Sequence, residues 1–356
     1  MLFTTAIWDA QSGEELAVLP AKAGTWQRGR VIEQTHTFPL RSLGLTVDEA
    51  YVLFGKDRPR DRVLTVLGDS IPLYHGLVID SEYEKASGLL AVKHWDVREL
   101  AAGRWLFGIG GSNQTFAWSG LSWRGMARRV ARIIYTDPIS AAWPLPVNVG
   151  AEEAGGESLT SEGYKFENGE DLFTVIEESP GGPDLDFQPY KRDGRYGWDF
   201  IAGNPYLAGP GYEFHAQAAK SGLTDLKVTT IGAQKITGVH GIGEGSEWDM
   251  VRGGAAAPVS AGLARDTKLT LKEASLDVVN QRSAAYLASR LNTYEQWAFN
   301  VRTDDINLTQ LRLGSVVRIE SRGDDWIRDG WSSHRVIAFS GDIAAPDSIA
   351  LTVETI

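Results

Sequence analysis

The sequence predicts a mainly β protein with α+β insertions, and three observations support this fold class. Apolar and polar residues alternate in short runs over the first 100 residues and again after about residue 296. Three stretches between them, about residues 122–135, 169–179 and 275–292, show the apolar spacing of helices instead. The 39 glycines and 14 prolines suit the many turns of a strand-rich chain.

Composition narrows the class of protein. A chain of 356 residues is long enough for two or three domains. The formal net charge of −11 disfavours stable nucleic-acid binding, which needs a basic surface. The absence of cysteine excludes disulfides, thiol catalysis and thiolate metal sites, and fits a reducing cytoplasm. The N-terminus "MLFTTAIWDAQSGEE" is not a secretion signal, and no apolar run is long enough to span a membrane.

Local signals place the elements. Ser122 is the expected N-cap of the first long helix, and residues 144–163 are rich in Gly and Glu and predict a loop. Residues 224–243 predict further strands, and residues 253–262 predict a flexible loop. Residues 76–94 and 334–354 share one layout, an aliphatic strand, an acidic turn and an alternating strand, which predicts related β regions at the two ends of the chain.

The stretch "GGPDLDFQPY", residues 181–190, is the first candidate site because Asp-x-Asp pairs bind metals in many enzymes. On a strand, Asp184 and Asp186 share one face, and Leu185 and Phe187 share the other. Two carboxylates are few for a metal, and the six histidines are scattered along the chain. We therefore expect a strand anchored by its apolar pair, with both aspartates on a solvated face.

Other candidate motifs also favour structural interpretations. The adjacent acid pairs Glu152/Glu153 and Glu177/Glu178 predict solvated charge rather than glycosidase chemistry. "GVHGIGEGS" lacks the Lys-Ser/Thr of a phosphate loop and predicts a turn with positive φ, and "RGD" at 322–324 predicts a turn between strands. The basic helix face predicts a solvated or subunit-facing stripe; it comprises Arg124, Arg128, Arg129 and Arg132.

No Gly-x-Ser-x-Gly nucleophile motif is present, so we expect no catalytic, cofactor-binding or metal-binding residues and no cofactor. The twelve tryptophans leave a glycan-binding surface open as an alternative. Three of them are the better candidates for exposure: Trp143, Trp326 and Trp331. Four others lie amid apolar neighbours and are expected mostly in the core: Trp105, Trp123, Trp198 and Trp297.

Four stretches together resemble the tail hub, or minor tail, proteins of long-tailed bacteriophages, which are related to the contractile-phage baseplate hub. They are "GLVIDSEYEKASGLLAVKHWDVRELAAGRWLF", "DLFTVIEESPGGPDLDFQPY", "GIGEGSEWD" and "AAYLASRLNTYEQWAFNVRTDDINLTQLRLGSVVRIES". The resemblance spans nearly the whole chain, but its motifs are loose and include no invariant catalytic residue. Within that family, "GGPDLDF" would end a helix and begin a strand of the scaffold.

The resemblance implies a fold with two tube-like β-barrel domains and inserted α+β elements. It places a first barrel at 1–110, an inserted α+β middle domain at 111–220 and a second barrel at 221–356, with a helical and loop segment at about 250–295. Three subunits would form a pseudo-sixfold ring on the hexameric tail tube. The chain ends at Ile356, directly after its last predicted strand, so we expect no C-terminal fibre or lytic domain.

The same resemblance implies a structural, non-enzymatic protein of the virion tail tip, assembled in the host cytoplasm. Its implied partners are two further copies of itself, the distal tail or tail tube protein, the tape measure protein, and receptor-binding or fibre proteins. Genomic DNA would pass through the lumen without specific binding. Two alternatives stay open: a host cell-wall glycan-binding module and a peptidoglycan or glycan hydrolase.

The strand interpretation of residues 184–187 predicts opposite effects for its two faces. Replacing Phe187 with Ala should lower the free energy of unfolding by about 3–5 kcal/mol, because a buried aromatic side chain is lost and leaves a cavity. Replacing Asp184 and Asp186 together with Asn should leave the fold largely intact. Urea unfolding of the two variants measures both effects, and loss of a bound metal from the double variant would contradict the interpretation.

Overall fold

The computed structural model describes residues 3–29, 33–137, 144–218, 220–233, 235–258, 263–271 and 275–356, apart from the side chain of Tyr294. The strands are β1 Phe3–Asp9, β2 Glu15–Leu19, β3 Ala23–Arg28, β4 Gln34–Pro39, β5 Arg62–Gly68, β6 Ile71–Glu84, β7 Leu89–Trp95, β8 Thr115–Leu121, β9 Val147–Asn148, β10 Ala154–Glu162, β11 Leu185–Arg192, β12 Arg195–Ala202, β13 Gly211–His215, β14 Leu223–Ile231, β15 Gly238–Ile242, β16 Arg252–Ala256, β17 Asp266–Thr270, β18 Tyr294–Arg302, β19 Val316–Ser321, β20 Gly330–Asp342 and β21 Ser348–Thr355.

The α-helices are α1 Leu40–Leu43, α2 Val47–Leu53, α3 Glu99–Ala102, α4 Trp123–Ala131, α5 Gly169–Glu177 and α6 Leu276–Ala288. A π-helical turn, Arg132–Thr136, continues α4. The predicted N-cap is confirmed, since the Ser122 hydroxyl accepts a hydrogen bond from the Gly125 amide at 3.1 Å. The chain is therefore mainly β with helical insertions, as the sequence predicts.

Two half-sheets have the same strand order. The first half-sheet runs β3-β4-β7-β6-β5-β1, with β2 added beyond β1, and the second runs β14-β18-β21-β20-β19-β13. If the six strands of each half-sheet are numbered by their order along the chain, the order across the sheet is 2-3-6-5-4-1 in both half-sheets. One direction differs, because β1 is antiparallel to β5 whereas β13 is parallel to β19. The shared order agrees with the related β regions that the repeated layout predicts.

The repeated layout also matches at the level of register. In the first half-sheet the β6–β7 ladder shifts between Val78 and Asp80, and in the second the β20–β21 ladder shifts between Val336 and Ala338. When the two hairpins are aligned, the two bulges coincide. A bulge re-aims the strand that follows it, so the last residues of β6 and of β20 leave their half-sheets at equivalent points.

Each half-sheet curls back on itself. Strands β1 and β3 lie five strand spacings apart, roughly 24 Å in a flat sheet, yet the rings of Phe3 and Trp26 are 5.8 Å apart. Strands β13 and β18 lie four spacings apart, roughly 19 Å when flat, yet the rings of Phe214 and Phe299 are 6.2 Å apart. Both half-sheets are therefore barrel-like, although among the described residues no strand pairing closes either ladder.

A middle region of mixed structure packs against the first half-sheet. It contains the β8–β10 pair, the β11–β12–β9 sheet and helices α4 and α5. Its core is continuous with apolar residues on β1 and β5, among them Trp8 and Val63. Part of the predicted loop 144–163 is wrong, because residues 154–162 form β10 and pair with β8. That strand is mostly exposed, so its sequence lacks the apolar alternation that predicts a strand.

A second insertion lies between β14 and β18. It holds the three-stranded sheet β16–β15–β17 and helix α6, which packs on β15 and β16. The loop predicted at 253–262 is wrong for residues 253–256, which belong to β16, while residues 259–262 lie outside the described residues. Four small residues in β16 hide its strand character, because glycine and alanine have low β propensity.

Candidate assembly site at the joint of the half-sheets

The pairing of β3 with β20, which we call the joint, connects the two half-sheets into one 13-stranded sheet. Its register sets Thr25 to Arg28 opposite Asp342 to Phe339. Trp26 is fully buried there, with its ring edge-on to the rings of Phe3 and Phe339 at centroid distances of 5.8 and 6.0 Å. Gly341 faces Trp26, and a Cβ at this glycine would lie 2.7 Å from the indole. A glycine at this position therefore leaves the space that the tryptophan fills.

An ion pair links the joint to the middle region. The Arg28 guanidinium lies 2.5 Å from the Asp186 carboxylate, and the two side chains are only 5% and 10% exposed. The solvated face expected for Asp186 is therefore wrong, because its partner comes from a strand 158 residues away in the chain. The apolar face is confirmed, since Leu185 and Phe187 are buried.

Asp184 has a different environment from Asp186. It precedes β11, keeps nearly half of its side chain exposed, and accepts a hydrogen bond from the Leu207 amide at 3.3 Å. Burial of its carboxyl group raises its pKa, which the nearby Arg335 partly opposes. The two aspartates thus bind separate partners. Among the described residues, no group of three or more His, Asp or Glu side chains converges as a metal site.

A second acid, Asp96, interacts electrostatically with both members of the ion pair between Arg28 and Asp186. Asp96 as a whole is only partly buried, but its carboxyl group is enclosed, and burial raises its pKa to about 6. It accepts a hydrogen bond from the amide of Arg98 at 2.9 Å. The guanidinium of Arg98 in turn lies 2.8 Å from Glu170 and 2.6 Å from Glu177. Glu177 therefore anchors α5 through an ion pair, where solvated charge was expected.

Histidines form a buried hydrogen-bonded network in the first half-sheet. His36 Nδ1 lies 2.8 Å from His94 Nε2, and the Tyr74 hydroxyl lies 3.0 Å from His94 Nδ1. His75 Nδ1 lies 2.6 Å from the Thr65 hydroxyl, which also accepts a hydrogen bond from the indole of Trp8. Burial lowers the pKa of His36 to about 4 and that of His75 to about 3. These imidazoles are neutral near pH 7 and stabilise the barrel interior.

The basic face of α4 is partly neutralised within the chain, because two glutamates pair with its four arginines. Glu152 lies 2.5 Å from Arg129 and 2.8 Å from Arg132, and Glu153 lies 2.9 Å from Arg124. The prediction of a solvated stripe is therefore wrong in part, because these arginines form ion pairs and are only 20–37% exposed, while the subunit-facing alternative stays a prediction. The same contacts show that Glu152 and Glu153 form ion pairs with arginines, whereas solvated charge was expected for these two residues. Sequence periodicity shows which residues share a helix face but does not show what covers it.

The two turn predictions are confirmed in part. Gly245 has φ +106° and Gly323 has φ +66°, so both glycines adopt the left-handed region that side chains disfavour. The first five residues of "GVHGIGEGS" instead form β15. The "RGD" motif lies in the connection between β19 and β20, as expected.

The tryptophans divide largely as predicted. Trp198 and Trp297 are buried, and Trp105 and Trp123 are partly buried. Trp326 is 77% exposed and Trp331 is 41% exposed, while Trp143 lies outside the described residues. The sequence analysis missed Trp248, which is 88% exposed. Its polar neighbours in "EGSEWD" are the signal that could have identified it.

No protein-family model and no curated protein matches this chain. Solved structures do match it. A tail protein from Neisseria meningitidis MC58 has a TM-score of 0.58 at 11% identity, covering 99% of this chain and 97% of that one. The 43 kDa tail protein of prophage MuSo2 from Shewanella oneidensis has a TM-score of 0.59 at 8% identity, covering 99% and 98%.

A prophage tail protein from Listeria monocytogenes EGD-e has a TM-score of 0.51 at 10% identity, covering 99% and 94%. This chain therefore has the fold of phage tail proteins along its whole length. The tail-protein resemblance predicted from the sequence is confirmed at the level of fold. None of the described helices is long and apolar enough to cross a membrane.

Asp186 at the joint yields a stability prediction, which replaces the expectation from the sequence that Asn at positions 184 and 186 leaves the fold largely intact. Replacing Asp186 with Asn should lower the free energy of unfolding by about 3–5 kcal/mol, because the nearly buried Arg28 guanidinium loses its counter-charge. As a control, Glu213→Gln removes an exposed ion pair with Arg318 and should cost less than about 1 kcal/mol. Urea unfolding at pH 7 measures both values. Equal effects of the two substitutions would contradict the assignment of the buried pair.

The buried titratable groups predict how stability depends on pH. Between about pH 6 and pH 4 the unfolded chain protonates four histidines that burial keeps largely neutral in the folded chain: His36, His75, His94 and His334. Acidification therefore destabilises the fold at these four sites. Asp96 acts in the opposite sense, because its folded pKa of about 6 exceeds its ordinary value of 3.8. The unfolded chain thus binds about three more protons than the folded chain, so stability should fall by up to about 4 kcal/mol per pH unit.

Chemical unfolding at pH 6, 5 and 4 tests this slope. Replacing Asp96 with Asn removes the opposing group, so the variant's stability should fall about a third more steeply over the same range, by about four protons instead of about three. A variant slope equal to that of the wild type would show that Asp96 does not titrate in this window. A wild-type slope of zero would contradict the assignment for the four histidines.

Proposed function

We propose that this protein is a structural virion component, the trimeric hub of a phage tail tip or baseplate. It adapts the sixfold tail tube to a threefold tip and closes or lines the DNA channel. The observation that carries this proposal is the repeated strand order of the two half-sheets, within a chain that has the tail-protein fold throughout. Two related barrels in one chain supply two similar docking units per subunit.

The number of subunits follows from that duplication. A sixfold tube presents six equivalent surfaces, and three chains with two related barrels each present six matching ones. Cyclic symmetry closes such a ring without free ends. In this arrangement the barrels are residues 1–110 and 221–356, with β13, Gly211–His215, added to the second barrel, and the rest of residues 111–220 forms the middle domain. The neighbouring proteins in the tail are the distal tail or tail tube protein, the tape measure protein, and receptor-binding or fibre proteins.

The charge of the chain supports a passage for DNA. Three copies carry a formal charge of −33, which is three times −11. An acidic lumen repels phosphates, so DNA passes without adhering. The ion pairs of α4 support the same proposal, because they reduce the positive charge of a basic face that could otherwise bind the DNA backbone. The hub requires no catalytic residue and no cofactor. Its place is the tail tip of the virion, after assembly in the host cytoplasm.

A cell-wall glycan-binding module is the second candidate, and the exposed rings of Trp248, Trp326 and Trp331 favour it. Exposed aromatic rings stack on sugar faces in such modules. A pull-down on purified cell walls separates the candidates. Retention that is lost on replacing these three tryptophans with Ala would favour glycan binding. A glycan hydrolase would instead require activity that disappears when a single carboxylate is replaced.

Light scattering of the purified protein tests the trimer. We expect a mass of roughly 117 kDa, three times the 38.9 kDa of one chain. If assembly needs the tail tube, the protein is monomeric in solution, and images of the assembled tail tip should then show threefold symmetry. A stable hexamer, or a strongly basic lumen in the assembled tip, would contradict the proposal.

A further inference from the structure

Several strand edges have no partner among the described residues, and two of them are equivalent to the edges that the joint pairs. The last part of β6, Asp80–Glu84, pairs with β7 on one side only, because β5 pairs with β6 no further than Leu77. The outer edge of β14 is likewise free, since β14 pairs only with β18 and forms one end of the sheet. Unpaired edges of this length are a liability that proteins cover or use for pairing.

The joint shows how such edges pair in this fold. Aligned at their bulges, the end of β6 corresponds to the end of β20, so that Ser81 matches Phe339, Tyr83 matches Gly341 and Glu84 matches Asp342. In the same way β14 corresponds to β3. The strand β14 pairs with β18 and β3 pairs with β4, and β18 and β4 hold equivalent positions in the two half-sheets. The joint therefore pairs the edges of β20 and β3. The equivalent edges of the other half-sheet in each case, those of β6 and β14, are unpaired.

We propose that the end of β6 in one subunit pairs antiparallel with β14 of the next subunit and so repeats the joint between chains. This inference rests on the proposed trimer and identifies its interface. Transferring the register of the joint sets Ser81 opposite Thr230, Tyr83 opposite Val228 and Glu84 opposite Lys227. The occupant of each open edge is thus a second copy of this chain.

Side-chain size supports this register. In the joint, Gly341 lies opposite the large Trp26. At the equivalent positions between subunits, the large Tyr83 lies opposite the smaller Val228. The large residue is therefore on the β6 side of this contact, whereas in the joint it is on the β3 side. Tyr83 is opposite Leu90 in the β6–β7 ladder and shares its face with that buried residue, yet it is 51% exposed. A neighbouring strand would cover it with an aromatic–β-branched pair.

Charge also supports the pairing. Glu84 and Lys227 are both exposed in the single chain, and the transferred register sets them directly opposite one another. Opposite charges in such cross-strand positions attract, whereas a shift by one residue would move each side chain to the other face of the sheet. The contact is heterologous, so it closes only if the rotation between copies divides a full turn evenly. Three copies then alternate three joints with three β6–β14 contacts around one ring.

Disulfide trapping tests the interface, because the chain has no cysteine of its own. Opposed residues of an antiparallel ladder have Cα atoms about 4.5–5.5 Å apart, within the range that a disulfide bridges. The double variant Glu84→Cys with Lys227→Cys should give a covalent trimer of roughly 117 kDa on a non-reducing gel. The matched pair Ser81→Cys with Lys227→Cys is three residues out of register and should cross-link at least about tenfold less.

A second measurement avoids the need for oxidation. Replacing Tyr83 with Asp should raise the concentration for half-dissociation of the trimer at least about tenfold, because a charge would enter the cross-strand contact. Tyr51→Asp is the control, since Tyr51 is also exposed but lies on helix α2 and not on either strand edge. Light scattering over a dilution series gives both values. Equal effects of the two substitutions would count against the interface.

The outcomes separate the interface from the hub itself. A trimer that persists while Glu84→Cys with Lys227→Cys stays unlinked overturns the β6–β14 contact but leaves the hub proposal intact. A ladder of products larger than the trimer overturns ring closure. A protein that gives no cross-link and stays monomeric at every concentration, from a tail tip whose images lack threefold symmetry, overturns both proposals.

Discussion

The pairing of β3 with β20 is the constraint on which the rest of the structure depends. These strands lie more than 300 residues apart in the chain, so their pairing closes a very long loop. The cost of closure grows only slowly with loop length, and the buried cluster around Trp26 offsets it. Because of this pairing, two curled half-sheets become one sheet, and the positions of the remaining free edges are set.

The joint also positions the middle region. Arg28 lies on β3, and its buried contact with Asp186 ties the β11–β12 sheet to the first half-sheet. A buried ion pair is weak evidence for stability, since both charges lose their hydration. Its value here is geometric, because the carboxylate satisfies the guanidinium only when β11 lies in one place. The histidine network has a similar role inside the first barrel, where each imidazole needs a specific hydrogen-bond partner.

The duplication gives one architecture two kinds of contact. The two half-sheets share strand order and bulge position but differ where their edges meet a neighbour. In the joint, a glycine on β20 accommodates a tryptophan on β3. At the free edges the larger residue lies on β6 and the smaller on β14. The proposed β6–β14 contact shares backbone hydrogen bonding with the joint and differs from it in side-chain volume and charge.

Local patterns were enough to determine the class of fold, the long helices, the Ser122 cap, the apolar anchor at Phe187 and the repeated hairpin, because each depends on residues close together in sequence. Tertiary structure alone decided the burial of Asp186, the cover over the α4 arginines, and the strand character of residues 154–162. Each of these depends on a partner from a distant segment. Periodicity shows which residues share a face, whereas only the folded chain brings that face against its neighbour.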